Sequence, residues 1–541
     1  ELVFEARSIP ALSSRRYIVT AGAAAVAEAG VPAAAVTACA DAGWADGEAG
    51  HDYLEVAHGE HTLTFDRATG QLVSLGRSGV TAEGSPLALS VGLAFYRGFG
   101  SPGIELSDQM AAEAAEDRKA EAKLRPQDLK HSRDSFGITR QSSQASGAYI
   151  FRTAEELETP TPAGVRPTIE VVRGDVVTEV RQSFAPWANQ TLRLSRGSPY
   201  VEVEWTVGPV PVDDGVGREV VLTLSSELAT EKVLYTDANG REFQQRVRNE
   251  RPTWDLVVSE PVAGNFYPVT AAAWMADEAA DLQLSVLTDR SQSMGSVRDG
   301  DLDVLVHRRL LVDDGRGVGE PLNETVHATY PQDTPRTIVR HGDGIVVRGS
   351  VRLHLGHAGD ARPVRRGMDE LLHPPVVAFG GADAAAALEQ GAAGDPLPGP
   401  LARELPVQVQ LVTLRVWPET PGAGAAATGK PEAPAVGKRV LLRLGHAFAL
   451  GEDAELSRPV DVDVAALLTP LGTARRCTRM SLSANQDWSR MKAKKLRWRT
   501  LEGAEDVDAG GWDGGGEAEA VVGCSVRLHA MAIVTVEVEF E

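Results

Sequence analysis

The chain has 541 residues, 43% of them hydrophobic and 24% charged, an ordinary globular composition with room for about three domains of roughly 100–200 residues each. Its 75 acidic against 54 basic side chains leave a net charge of −21, which argues against nonspecific binding to nucleic acid or to an anionic membrane. No apolar run reaches the roughly 18 residues that read as a membrane span, and three cysteines (Cys39, Cys477 and Cys524) with no Cys-x-x-Cys exclude a zinc ribbon or a disulfide framework.

From the N-terminus, Glu1-Leu-Val-Phe-Glu has neither the basic nor the apolar region of a signal peptide. It reads as a strand already in progress, the mark of a chain cut or processed from something longer. A short piece ending at Tyr17-Ile-Val-Thr leads into an Ala-rich insertion over 21–40, and a boundary is expected near residue 50. Residues 62–72 then spell a hairpin turning at Gly70. The clear helical candidate is 111–130, rich in Ala, Glu, Lys and Arg, with little apolar periodicity; it reads as a solvated helix or a disordered insertion.

Beyond it the dominant period is two. Val201, Val203, Trp205 and Val207 alternate with Glu202, Glu204 and Thr206, and Val351, Leu353 and Leu355 with Arg352 and His354. Later, Val407, Val409 and Leu411 alternate with Gln408 and Gln410, and Val534, Val536, Val538 and Phe540 with Thr535, Glu537 and Glu539. Successive strand side chains point to opposite faces, so each segment predicts one buried and one wet face, as in antiparallel sheets packed into sandwiches. The Gly-, Ala- and Pro-rich stretch 379–400 is the expected domain boundary, and 421–437 and 502–523 read as surface insertions. At most one disulfide can form, with Cys477 and Cys524 as a candidate pair.

No self-contained active site emerges. There is no Gly-x-Ser-x-Gly elbow, no dinucleotide fingerprint and no His-Glu-x-x-His. Gly424-Ala-Ala-Ala-Thr-Gly-Lys430 approaches a P-loop but continues into Pro431, where a magnesium-binding Ser or Thr belongs. His51, His58 and His61 fall close together, as do His354 and His357. His341-Gly-Asp343 has a same-face spacing but supplies two ligands where zinc needs at least three.

The segment 284–325 is the most unusual. A strand ending in Arg308-Arg309 runs into a Gly-rich loop carrying Asp313, Asp314 and Arg316. Loops on a rigid β-scaffold often carry binding residues, and Arg with Asp suits vicinal hydroxyls; the same residues also suit a structural network holding a long loop. Asn189-Gln-Thr and Asn323-Glu-Thr are N-glycosylation sequons.

Several collinear stretches carry a family resemblance. They include Gln144-Ala-Ser-Gly-Ala-Tyr-Ile-Phe-Arg, Val201-Glu-Val-Glu-Trp-Thr-Val-Gly-Pro-Val-Pro-Val, Tyr235-Thr-Asp-Ala-Asn-Gly-Arg-Glu and Arg251-Pro-Thr-Trp. Residues 260–269, the 284–325 segment, Leu441-Leu-Arg-Leu-Gly-His-Ala-Phe and Met480-Ser-Leu-Ser-Ala-Asn-Gln continue it. Together they resemble the non-catalytic C-terminal region of glycoside hydrolase family 38, the class II α-mannosidases, and His307 before Arg308-Arg309 resembles the lysosomal or vacuolar type. The resemblance implies an all-β chain: the end of a small β-domain plus an insertion over 1–50, a galactose-mutarotase-like supersandwich over 51–380, a linker over 381–403 and a smaller β-sandwich over 404–541, with low-complexity insertions.

In that family a carboxylate attacks the anomeric carbon of mannose while another carboxyl group serves as acid and then base. The zinc-binding and nucleophilic motifs precede the region matched here. The resemblance therefore implies zinc in the complete enzyme with no ligands in this chain, an N-terminal catalytic domain and a mannose-containing oligosaccharide as partners, and a lysosomal, vacuolar or secretory location. It implies no activity for this chain alone. It places Tyr149 at the mannose pocket, and Arg308 or Arg309 near the bound sugar. For Tyr149 the competing role is a buried core tyrosine. A carbohydrate-binding or structural module with no catalytic partner, or a mutarotase-like enzyme, are the other readings.

Overall fold

The computed structural model describes residues 52–82, 85–102, 144–317, 319–326, 344–377, 399–417, 439–494, 496 and 524–541, and 35–39 as backbone. Helix candidate 111–130, the insertion 421–437 and His341-Gly-Asp343 lie outside the described residues. The described residues fall into two compact units that part at Pro374 and Pro375.

Two large antiparallel sheets build the first unit. Among the described residues one has ten strands, in the order Ala35–Cys39, Thr168–Arg173, Val177–Ala185, Ala188–Ser195, Val201–Val207, Val347–Gly356, Leu282–Thr288, Ala272–Asp277, Val233–Ala238 and Glu242–Val247. The other runs Phe266–Val269, Gln292–Gly295, Asp301–Arg309, Arg218–Ser226, Leu87–Arg97, Leu72–Arg77, His61–Asp66 and Tyr53–His58, with Thr161–Pro162 paired to Leu87–Arg97. The expected alternation makes this sandwich. Val201, Val203, Trp205 and Val207 are each at most 1% exposed. They join one core with Leu63, Leu93, Leu222 and Val304 of the facing sheet. The opposite face of the same strands is charged: Arg193 bridges Glu179 and Glu204 at 2.8 Å each. This supersandwich is the fold that the period of two and the resemblance predict.

The hairpin forms as expected. Asp66 and Gln71 close it, and Gly70 takes φ +71°, a conformation that glycine adopts without penalty. A side chain there would also strike the Pro167 carbonyl, 2.6 Å from an added Cβ.

Three expectations need correction. His354, assigned to a wet face, is fully buried, because Tyr200 and Arg77 cover that end of its strand. The helix Ala361–Leu372 was not anticipated; Val364 and Met368, one turn apart, seat it against Ala271, Ala272 and Leu287. Val407 precedes its strand, which starts at Val409, and is 73% exposed.

The second unit is smaller. A four-stranded sheet, Val409–Val416, Arg439–His446, Ile533–Phe540 and Ala474–Met480, shares a core with the pair Val460–Asp463 and Ser525–Leu528. Val534, Val536, Val538 and Phe540 point into that core as the alternation predicts. Cys477 and Cys524 are bridged, with Sγ atoms 2.11 Å apart.

Candidate functional site

Charged residues gather at one end of the nine-strand sheet. Strand Arg218–Ser226 lies between Asp301–Arg309 and Leu87–Arg97, in a register that sets Glu219 opposite Arg308 and Arg218 opposite Arg309. The segment 144–153 crosses this end. Ser146 N donates to the Phe99 carbonyl and Phe99 N to the Arg152 carbonyl, and these bonds fasten it to the strand end.

Glu219 is fully buried, an expensive place for a carboxylate unless its charge is met. Arg308 meets it with two prongs: Nε donates to Oε2 at 2.5 Å and Nη2 to Oε1 at 2.9 Å. Ser146 Oγ donates to Oε1 at 2.5 Å. Burial works against the Arg308 charge, but the hydrogen bonds and charge of Glu219 outweigh it and hold the guanidinium above its ordinary range. Arg308 also reaches past Glu219 to the crossing segment. Its Nη2 donates to the carbonyls of Gly147 (2.8 Å) and Ile150 (2.7 Å), and Nη1 to that of Ala148 (3.3 Å).

The amides of the same turn face a second anion. Asp314, 4% exposed, accepts from Tyr149 N at 2.6 Å and Ile150 N at 3.0 Å on Oδ2, and from Arg316 N at 3.0 Å on Oδ1. Gln144 ties this loop back to the segment, donating to the Asp314 carbonyl at 2.5 Å and accepting from Arg316. Gly147 makes the approach feasible, since a Cβ there would lie 2.7 Å from that of Asp314. Tyr149 stands out beyond this framework with 63% of its surface exposed, so the buried-tyrosine alternative does not hold. Among the described residues its phenol makes no hydrogen bond, so it can donate and accept, the chemistry a hydroxylated ligand requires.

Arg309 points elsewhere. Its Nε donates to Asn323 Oδ1 at 2.7 Å and Nη1 to the Val210 carbonyl at 2.5 Å, so it ties the 310–326 loop to the Pro209–Val210 turn. Burial lowers its pKa, opposed by the charge of Asp213. Neighbouring His307 is half-buried, which depresses its basicity, and it contacts the Ile345 carbonyl at 3.2 Å. Of the two sequons, Asn323 sits in this loop and Asn189 on the half-buried outer face of its strand. The structure thus brings Tyr149 and Arg308 together and separates Arg309 from both. Glu219 and Ser146 escaped the sequence reading. The one signal for Glu219 is that Arg218-Glu219 stands directly before the apolar run Val220-Val221-Leu222.

His58 and His357 are engaged separately, whereas His61 and His354 both lie beside Arg77. His58 contacts Thr178 and the Val176 carbonyl, and His357 contacts Asp281 and the Gly79 carbonyl. Among the described residues no three His, Cys, Asp or Glu side chains converge as a metal site, so these residues do not fit a zinc ion.

The model of the glycosyl hydrolases family 38 C-terminal domain matches residues 115–316. The chain is 42% identical over 367 residues to the lysosomal alpha-mannosidase of Bos taurus, an alignment covering 67% of this chain and 32% of that protein. It is 36% identical over 404 residues to the alpha-mannosidase of Canavalia ensiformis, covering 73% and 37%. The crystal structure of an alpha-mannosidase from Enterococcus faecalis V583 superposes on 90% of this chain and 42% of its own, with a TM-score of 0.44 and 9% identity. The chain therefore spans about a third of the length of the curated relatives it matches.

Proposed function

This chain belongs to glycosyl hydrolase family 38 through its C-terminal domain, and from that premise we propose that it is the all-β, non-catalytic part of a zinc-dependent retaining α-mannosidase. Its substrate is terminal α-D-mannose on N-glycan oligosaccharides. An N-terminal catalytic domain supplies the nucleophilic carboxylate, the acid–base carboxyl group and the zinc ligands, and this chain alone hydrolyses nothing. Matches that cover about a third of longer mannosidases, together with the C-terminal domain model, support the partner domain. The lysosomal relatives support a lysosomal or vacuolar location, with Asn189 and Asn323 as glycan acceptors.

One observation carries the reading: an exposed tyrosine on a turn that Arg308 grips by the carbonyls of Gly147, Ala148 and Ile150 and Asp314 grips by the amides of Tyr149 and Ile150. Tyr149 offers its hydroxyl to a mannose hydroxyl, and Arg308 holds the turn that presents it. A sugar hydroxyl bound this way gains orientation without a charged contact. Arg309 serves the same surface less directly, through the loop of Asn323.

The test is hydrolysis of p-nitrophenyl α-mannoside by the chain, with and without zinc, and with and without the separately produced N-terminal domain. Activity confined to the mixture is expected; activity of the chain alone overturns the division of labour. In the mixture, Tyr149→Phe is expected to lower kcat or weaken sugar binding, and unchanged kinetics sink the pocket assignment.

A further inference from the structure

We propose that Asp314 is the positioning residue for Tyr149, an inference that rests on the pocket role just assigned to that tyrosine. The turn 147–150 is held by opposite charges on its opposite poles. The cation of Arg308 takes the carbonyls of Gly147, Ala148 and Ile150, while the anion of Asp314 takes the amides of Tyr149 and Ile150. Each charge meets the pole of the peptide dipole that it attracts. The Gly147 amide bonds within the turn to the Ile150 carbonyl at 3.0 Å.

Arg308 alone does not fix the tyrosine. Its carbonyl contacts skip residue 149, whereas Asp314 contacts Tyr149 at its own amide, the shorter of its two bonds to the turn. With that atom pinned, the placement of the phenol depends on two side-chain torsions. Asp314 is itself immobilised, through Arg316 N on its other oxygen and Gln144 on its carbonyl. Both carboxylate oxygens accept, so the position calls for an acceptor-only group. Asparagine has nearly the same shape but must turn an NH2 toward one set of N–H donors.

The first arm is hydrogen exchange on the 541-residue chain. Asp314→Asn is expected to speed exchange in peptides covering 144–152 by about tenfold and to leave those covering Val201–Val207 unchanged. The second arm is kinetic, in the assembled mannosidase with p-nitrophenyl α-mannoside. Asp314→Asn should lower kcat/KM by about tenfold or more when Tyr149 is present. In a Tyr149→Phe background, with no hydroxyl left to place, the loss should shrink to less than about twofold. Gly147→Ala, which displaces Asp314 while keeping its charge, should reproduce the pattern if Asp314→Asn fails to fold. Equal losses in both backgrounds, or unchanged exchange over 144–152, overturn the proposal. A silent Tyr149→Phe sinks the pocket reading instead, and the exchange arm then decides by itself whether Asp314 holds the turn.

Discussion

Arg308 and Glu219 sit opposite each other on paired strands and form a two-pronged ion pair whose anion is wholly buried. Removing either partner strands the other. Glu219→Ala leaves a guanidinium facing three carbonyls with no anion beneath it, and is expected to cost about 3–5 kcal/mol. Arg308→Lys keeps the charge but loses the fork that reaches Glu219 and the turn together, at a cost of about 2 kcal/mol. Urea midpoints at constant m-value measure both, and a Glu219→Ala midpoint equal to wild type would mean that the pair is dispensable.

Arg309 fastens the Asn323 end of the 310–326 loop, so its loss should be felt first at that end. Arg309→Ala removes bonds to Asn323 and to the Val210 carbonyl, together worth about 1–2 kcal/mol. Hydrogen exchange should rise in peptides covering 319–326 and stay at the wild-type rate over 144–152. Faster exchange over 144–152 would show the two arginines acting as one network.

The contrast between these arginines also marks how far the sequence could be read. Period-two alternation lies within one strand, so Val201–Val207 and the run from Val534 to Phe540 were legible with their inward faces. So was the Gly70 turn. The ion pair joins residues 89 apart in the chain, and no local pattern encodes which strand will lie beside which. Tyr149 was reachable only through the family resemblance, since nothing in its neighbours says that the side chain is exposed. His354 shows the opposite failure: its position in the alternation predicted solvent, and residues from distant segments cover it. Val364 and Met368 carry a helical spacing, but one apolar pair among charged neighbours is too short a stripe to mark a helix.

The Cys477–Cys524 bridge closes a loop of 47 residues in the smaller unit. Such closure removes entropy from the unfolded chain worth about 4 kcal/mol. Cys477→Ser is therefore expected to lower the stability of the second unit strongly and leave that of the first unchanged. Unfolding with and without dithiothreitol measures it: reductant should weaken the wild type and do nothing to the variant. A wild-type protein indifferent to reductant would mean that the bridge adds no stability.

Three buried titratable groups in the first unit give stability a pH dependence of opposing signs. His61 and His354 lie beside Arg77, whose Nη1 contacts His354 Nε2 at 2.7 Å. Burial, then the charge of Arg77, lowers their pKa values to about 4 and about 3. The unfolded imidazoles take up protons near 6.5 that the folded ones refuse, so the stability from burying them neutral is complete above 6.5 and is lost as pH falls toward 4 and 3. Asp303 behaves oppositely. Burial raises its pKa to about 7 against the opposing hydrogen bond from Tyr96 Oη at 2.6 Å. The folded state keeps a proton that the unfolded carboxyl releases near 3.8, so this contribution is complete below 3.8 and is lost as pH rises through 7. At pH 5.5 unfolding thus takes up two protons at the histidines and releases one at Asp303. Asp303→Asn should steepen the rise of stability with pH by about one proton, or about 1.4 kcal/mol per pH unit, and His354→Gln should flatten it by the same amount. Urea unfolding at closely spaced pH values around 5.5 gives these slopes. An Asp303→Asn slope equal to wild type would mean that Asp303 is ionised in the folded protein, and that Tyr96 compensates its burial in full.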